Sequence, residues 1–239
     1  MGRTWLRPCA REIPFLSQIF PRPTLTYLNI HTHSLPPEGE QTIASFGLHP
    51  WHLNEEWPDQ LKAVEKQIDQ HIKSSSLPTA AFFPDLPATT PSQPLPFFIG
   101  ECGLDRLCPT PYDIQLDAFK AQIRLSEQLR RPLILHCVKA IDDVLQLKKG
   151  THQPWIWHGF RGKPQQLLQL LNHGFYVSFG LHFNEASISQ CPLERLFLET
   201  DDAPQSIVPL YEAVARRRFI AITTLQTQMW RNLKAVACR

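Results

Sequence analysis

Six residues able to bind metal ions close the apolar runs of this sequence. His31 and His33 follow Thr24–Ile30, Glu101 follows Phe97–Gly100, His136 follows Pro132–Leu135, His158 follows Trp155–Trp157, and Asp201 lies just past Arg195–Glu199. Residues two apart on a strand share a face, so His31 and His33 can grip one ion together. Four imidazoles and two carboxylates exceed the three or four ligands of a mononuclear zinc site. Six mixed nitrogen and oxygen ligands suit two divalent ions bridged by a carboxylate and a water. That arrangement serves hydrolysis of a phosphodiester, an amide or an ester. Imidazole favours Zn²⁺ while carboxylate and water favour Mn²⁺ or Mg²⁺, so all three remain open.

Each residue has a plainer reading. A histidine after an apolar strand is commonly a hydrogen-bonded core residue, Asp201 before Pro204 could cap a helix, and Glu101 could pair with an arginine. Five strand ends all carrying ligand-type residues are hard to explain that way. Three further residues are candidates for substrate contact: His49 in Gly47-Leu-His-Pro50, Lys139 just past His136, and Arg161 after His158-Gly-Phe160. Trp51, next to His49, could line a pocket. Arg216–Arg218 reads as a solvated helix end that complements the helix dipole.

The elements that must position these residues alternate strand, loop and helix, which is the pattern of parallel βα units. Strands are expected near 24–30, 42–48, 97–101, 132–136, 154–158, 174–179 and 195–199. Amphipathic helices are expected at 59–72, 115–128, 141–147, 164–171, 207–217 and 224–236. The expected fold is therefore an α/β, distorted TIM-type (β/α) barrel. With about seven strands, one βα unit is shortened or missing relative to the eight of a closed barrel. In such a barrel the C-terminal strand ends converge on one face and form the active site.

At 239 residues with 43% hydrophobic content, the chain suits one large domain. Residues 24–239 are expected to form it, with 1–23 as an unstructured extension. The stretch 74–96, rich in Pro and Ser, reads as a surface excursion. A formal charge of +2 excludes a strongly basic nucleic-acid-binding protein. The six cysteines are scattered with no CxxC pair, which points to reduced thiols and a cytoplasmic location. No run approaches the roughly 18 apolar residues of a membrane span. No obligate protein partner is evident.

In order, Ile30-His-Thr-His33, Phe46-Gly-Leu-His-Pro50, Ile99-Gly-Glu-Cys-Gly-Leu-Asp105, Ile134-Leu-His136, Trp157-His-Gly-Phe160 and Leu198-Glu-Thr-Asp-Asp-Ala-Pro204 resemble the TatD-type metal-dependent deoxyribonucleases of the amidohydrolase-like superfamily. The helix around Asn232 resembles that family's closing helix. The resemblance implies a dinuclear centre, with His31, His33 and Asp201 on the first ion, Glu101 bridging, and His136 and His158 on the second. It also implies that Asp201 is catalytic, orienting or deprotonating the attacking water, and that the substrate is DNA or another phosphate-bearing molecule. A small-molecule ester, amide or phosphate hydrolase, or a non-catalytic metal-binding relative, is the alternative. The sequence departs from the family at Asn29, where an Asp is usual, and at Cys137-Val138-Lys139, where an arginine is frequent. The short interval from His33 to His49 and the segment 74–96 are also foreign to the pattern. The missing strand is expected in the first of these.

Overall fold

The computed structural model describes residues 26–74, 76–77 and 93–237. The expected extension at 1–23 and most of the 74–96 excursion lie outside the described residues. Short apolar runs fold as parallel strands buried on both faces. The chain gives β1 (Tyr27–Asn29), β2 (Glu40–Thr42), β3 (Ala44–Phe46), β4 (Ser76–Leu77), β5 (Gln93–Pro94), β6 (Phe97–Asp105), β7 (Leu133–Val138), β8 (Trp155–Trp157), β9 (Tyr176–Phe179) and β10 (Leu196–Leu198). Every residue of β8, β9 and β10 is buried. A six-stranded parallel sheet runs β10-β9-β8-β7-β6-β3, and β1 pairs in parallel with β2.

Backbone bonds join these two sheets into a ring. Beyond β1, Ile30 N donates to Leu198 O at 3.0 Å, Asp201 N to His31 O at 3.2 Å and His33 N to Asp201 O at 3.1 Å. At the other edge, β2 and β3 are one extended segment interrupted at the buried Ile43. Its first half pairs with β1 and its second half with β6. The seven expected strands are thus all present, with the one expected at 42–48 shifted to 40–46, a segment that changes partner midway. Residues 30–39 connect the parallel β1 and β2 without a helix. A parallel pair normally needs a longer, helical crossover, so this is where the barrel is trimmed.

The helices are α1 (Trp57–Ser74), α2 (Tyr112–Leu129), α3 (Ile141–Lys148), α4 (Pro164–Asn172), α5 (Glu185–Gln190), α6 (Val208–Arg218) and α7 (Ile222–Ala237). Each expected helix is present within a few residues. The short α5 has no counterpart among them. Its cap is Asn184, whose side chain accepts from Ser187 N. The basic end of α6 is less solvated than its sequence suggests: Arg218 Nη1 donates to the carbonyls of Ile188, Ser189 and Cys191 at 2.8, 2.7 and 2.6 Å, closing the end of α5. In α7, Asn232 Nδ2 donates to Leu193 O and Leu196 O, which fixes the turn entering β10. The excursion leaves and rejoins the fold on the antiparallel pair β4–β5. Among the described residues, no helix is long and apolar enough to cross a membrane.

Candidate metal centre

Glu101 stands at the middle of the C-terminal face, with only 7% of its side chain exposed. Its two oxygens look in different directions. Oε2 lies 3.2 Å from His31 Nε2 and 3.5 Å from His33 Nε2. Oε1 lies 2.7 Å from His158 Nε2, 2.8 Å from His136 Nδ1 and 3.4 Å from His49 Nε2. Asp201 Oδ1 completes the first side, 3.8 Å from His31 Nε2 and 3.6 Å from His33 Nε2. The ligand atoms of His31, His33, Glu101 and Asp201 lie within 4.8 Å of one another, as do those of His49, Glu101 and His136. Imidazole nitrogens and carboxylate oxygens packed this closely are a donor set suited to divalent cations.

The local fold explains this convergence. The β6–β7 register shifts between Ile99 and Cys102, and such a bulge re-aims a side chain. Gly100 and Gly103, at φ 134° and 148°, let β6 approach β7 closely. A Cβ on Gly100 would sit 2.4 Å from Ile134 O, and one on Gly103 would sit 1.9 Å from His136 O. Asp201 has φ 54°, a left-handed conformation uncommon outside glycine and enriched at functional sites.

The opposite nitrogen of each ring indicates its chemistry. His136 Nε2 faces Asp105 Oδ2 at 3.1 Å, and His158 Nδ1 faces Glu199 Oε1 at 3.3 Å. A carboxylate on one ring nitrogen holds the proton there and leaves the other lone pair free for a cation. His49 is the reverse case. Its Nδ1 accepts from Trp51 N at 3.2 Å, so in the neutral ring the proton sits on Nε2. His49 is near enough to join the cluster, but its bonding suits it to donate a hydrogen bond. His136 and His158 are the better ligands on the Oε1 side.

The sequence alone does not single out Asp105 and Glu199 as site residues, although both fall inside its motifs. Asp105 Oδ2 also accepts from Trp51 Nε1 at 2.7 Å, and its Oδ1 accepts from Leu107 N at 2.7 Å. Glu199 is fully buried and accepts from Gly159 N at 2.5 Å. Two buried glutamines of α2 hold the loops. Gln122 exchanges hydrogen bonds with both backbone groups of Leu48, next to His49. Gln115 does the same for Asp105.

The electrostatics arise from this packing. Burial would raise the Glu101 carboxyl, but His158, His136 and His31 overcome it and hold its pKa well below the usual range. Burial opposes protonation of His158, yet Glu101 and Glu199 raise its pKa well above the ordinary value. His33 is raised mainly by its hydrogen bond to Glu101. Asp201 is raised, chiefly by burial and against the pull of His158. Burial also opposes ionisation of Asp105 and Glu199, and their hydrogen-bond and charge partners lower both.

Of the expected residues, the structure brings His31, His33, Glu101, His136, His158 and Asp201 into one cluster, with His49 at its edge. Asp201 caps no helix, and Glu101 pairs with histidines rather than an arginine. Lys139 and Arg161 are exposed on the loops after β7 and β8 and form no ion pair with the cluster.

The sequence profile of the TatD-related DNases matches residues 28–237. The chain is 29% identical over 171 residues to a TATDN1-type deoxyribonuclease homologue from Enterocytozoon bieneusi, covering 68% of this chain and 56% of that protein. It is 35% identical over 131 residues to the 3'-5' ssDNA/RNA exonuclease TatD of Klebsiella pneumoniae, covering 47% of this chain and 48% of the relative. The chain therefore spans about half the length of the curated relatives it matches. Among solved structures, a TatD-family hydrolase from Entamoeba histolytica superposes with a TM-score of 0.61 at 18% identity, over 83% of this chain and 75% of that one. This likeness supports the distorted α/β barrel.

Proposed function

The chain belongs to the TatD-related DNase family, and from that premise we propose that it is a metal-dependent phosphodiesterase acting on DNA or RNA strands. The observation that carries the reading is the division of ligands by the two oxygens of Glu101. His31, His33 and Asp201 on the Oε2 side would hold one divalent ion; His136 and His158 on the Oε1 side would hold a second. The mixture of imidazole and carboxylate fits Zn²⁺, Mn²⁺ or Mg²⁺. Such ions supply a polarised phosphoryl oxygen and a more acidic water.

The protein's own groups take the remaining tasks. Asp201 lies at the mouth with 31% of its side chain exposed. Its Oδ1, 3.6 Å from His33 Nε2 on the open side of the cluster, is placed to orient the attacking water and take its proton. His49 Nε2 is placed to donate to a phosphoryl oxygen, and Lys139 and Arg161 offer charge to flanking phosphates. The domain is assigned to residues 24–239, with 1–23 as an extension. The unpaired thiols of Cys102, Cys108, Cys137 and Cys191 fit a reducing, cytoplasmic setting.

The test is cleavage of a single-stranded oligonucleotide with Mg²⁺ or Mn²⁺, comparing wild type with Asp201→Ala. Loss of a proton-transfer group should lower the rate by roughly 10²–10⁴-fold. Equal rates in both proteins would refute the assignment. Stoichiometric metal binding without cleavage would favour a small-molecule ester, amide or phosphate substrate.

A further inference from the structure

Trp51 stands out among the exposed apolar residues because its position is fixed. Its indole is 49% exposed, yet its Nε1 donates to Asp105 Oδ2 at 2.7 Å. That same oxygen holds His136 Nε2 at 3.1 Å, so the ring is joined to the cluster through a single carboxylate. The other oxygen of Asp105 accepts from Leu107 N, and Leu107 is 59% exposed. The two loops are tied again where Cys108 Sγ lies 3.8 Å from Pro50 O and where Thr110 Oγ1 donates to Leu53 O at 3.3 Å. Two apolar side chains are therefore presented to solvent from pinned loops at the edge of the catalytic face. A solvated indole held by a buried carboxylate loses rotamer freedom before any ligand arrives, which favours binding of a flat partner.

Charge at the same face is sparse. The chain carries a formal +2; on the adjoining loops Lys139, Arg161 and Lys163 are exposed, while Arg106, between Asp105 and Leu107, is held by Asp143 at 2.6 Å. Phosphate neutralisation by these few side chains can then supply only part of the affinity for the strand, because each such contact depends on a cation. Aromatic stacking tolerates every base and needs the base to be unpaired. We infer that Trp51, with Leu107 on the neighbouring loop, is the platform on which a nucleobase beside the scissile bond stacks. This rests on the nuclease reading above and adds a positioning surface to it.

The experiment uses the full chain loaded with Mn²⁺ and two substrates of equal length: oligothymidylate, and a chain of abasic deoxyribose phosphates. Wild type should prefer oligothymidylate by about ten- to hundredfold in kcat/KM, the range expected for one stacked base. The difference should fall in KM, because stacking binds ground state and transition state alike. Trp51→Ala should raise KM for oligothymidylate by about tenfold and erase most of the preference. Trp51→Phe keeps a ring but not the N–H, and should retain most of it. If Trp51→Ala slows both substrates equally, or Phe fails to restore the preference, Trp51 acts through Asp105 and the platform is refuted. Wild type cutting both substrates equally well would also refute it while leaving the nuclease intact. Cleavage of neither would bring down both.

Discussion

The Glu199 carboxylate offers a direct test of the proposed second ion site. Glu199 is wholly buried, with Oε1 3.3 Å from His158 Nδ1 and 2.5 Å from Gly159 N. It keeps the proton on Nδ1 and so leaves Nε2 free on the Glu101 side. In Glu199→Gln, the amide oxygen can still accept both bonds, so shape and tautomer survive while the charge is lost. A hydrogen bond to a charged group contributes about 1.5–3 kcal/mol against about 1 kcal/mol for a neutral one. The difference is about 0.5–2 kcal/mol, or roughly 2- to 30-fold in affinity. Replacing the residue that orients a metal-binding histidine commonly costs about 10- to 100-fold, so about tenfold is expected. The assay is competition for Zn²⁺ or Mn²⁺ against a chromophoric chelator, which resolves the two binding steps. One step should weaken about tenfold and the step governed by His31, His33 and Asp201 should hold. Unchanged affinity in both steps, or equal loss in both, would refute the reasoning.

Three other perturbations test the scaffold. Gly103→Ala would place a methyl group 1.9 Å from His136 O; strand separation should cost roughly 3 kcal/mol, read as a lowered urea midpoint. Asn29 Nδ2 donates to Thr200 Oγ1 at 2.8 Å and its Oδ1 accepts from Thr200 N at 3.2 Å, all buried. Asn29→Ala strands the Thr200 N–H and should cost about 1–3 kcal/mol, with metal affinity on the Asp201 side falling alongside. Glu127, at the end of α2, accepts from the backbone of His152 and Gln153 and faces the His152 ring. Burial would raise its pKa, but these partners lower it from 4.5. Ionised Glu127 therefore stabilises the fold above that pH, and the contribution disappears as pH falls through the lower folded value. The stability gap between wild type and Glu127→Gln, measured by chemical denaturation, should be open at pH 7 and close in acid below 4.5.

The candidate ligand cluster was legible in the sequence because strand ends are local signals: an apolar run stops, and a His, Glu or Asp comes next. The surroundings of the cluster were less so. Counting apolar positions on α2 finds Phe119 and Ile123 but passes over Gln115 and Gln122, which are as buried as the core because they hold loop backbone. Asp105 and Glu199 look like ordinary loop and strand-end acids until the fold sets them behind His136 and His158. The proton position of His49 could not be read either, since it depends on Trp51 N. The change of partner at Ile43 is equally hidden, because the sequence from 42 to 48 reads as one strand.

The trimmed βα unit lies immediately after two of the proposed metal ligands, yet those ligands keep their places, and the hydrogen bonds show why. His31 and His33 are not positioned by β2. They are held by the far side of the ring, where Ile30 N, Asp201 N and His33 N form a parallel ladder between 30–33 and 198–201. The pair Asn29–Thr200 locks its lower end, and Thr200 Oγ1 to Thr32 Oγ1 at 3.1 Å locks its middle. His31, His33 and Asp201 thus form one rigid unit across the β1–β10 seam, independent of the chain's course beyond residue 34. The Oε1 side is equally independent, since Glu101, His136 and His158 sit on the consecutive neighbours β6, β7 and the end of β8. Shortening the barrel between β1 and β2 removes cover from the face without moving a ligand, so its consequences should fall on which substrate reaches the site rather than on the metal chemistry within it.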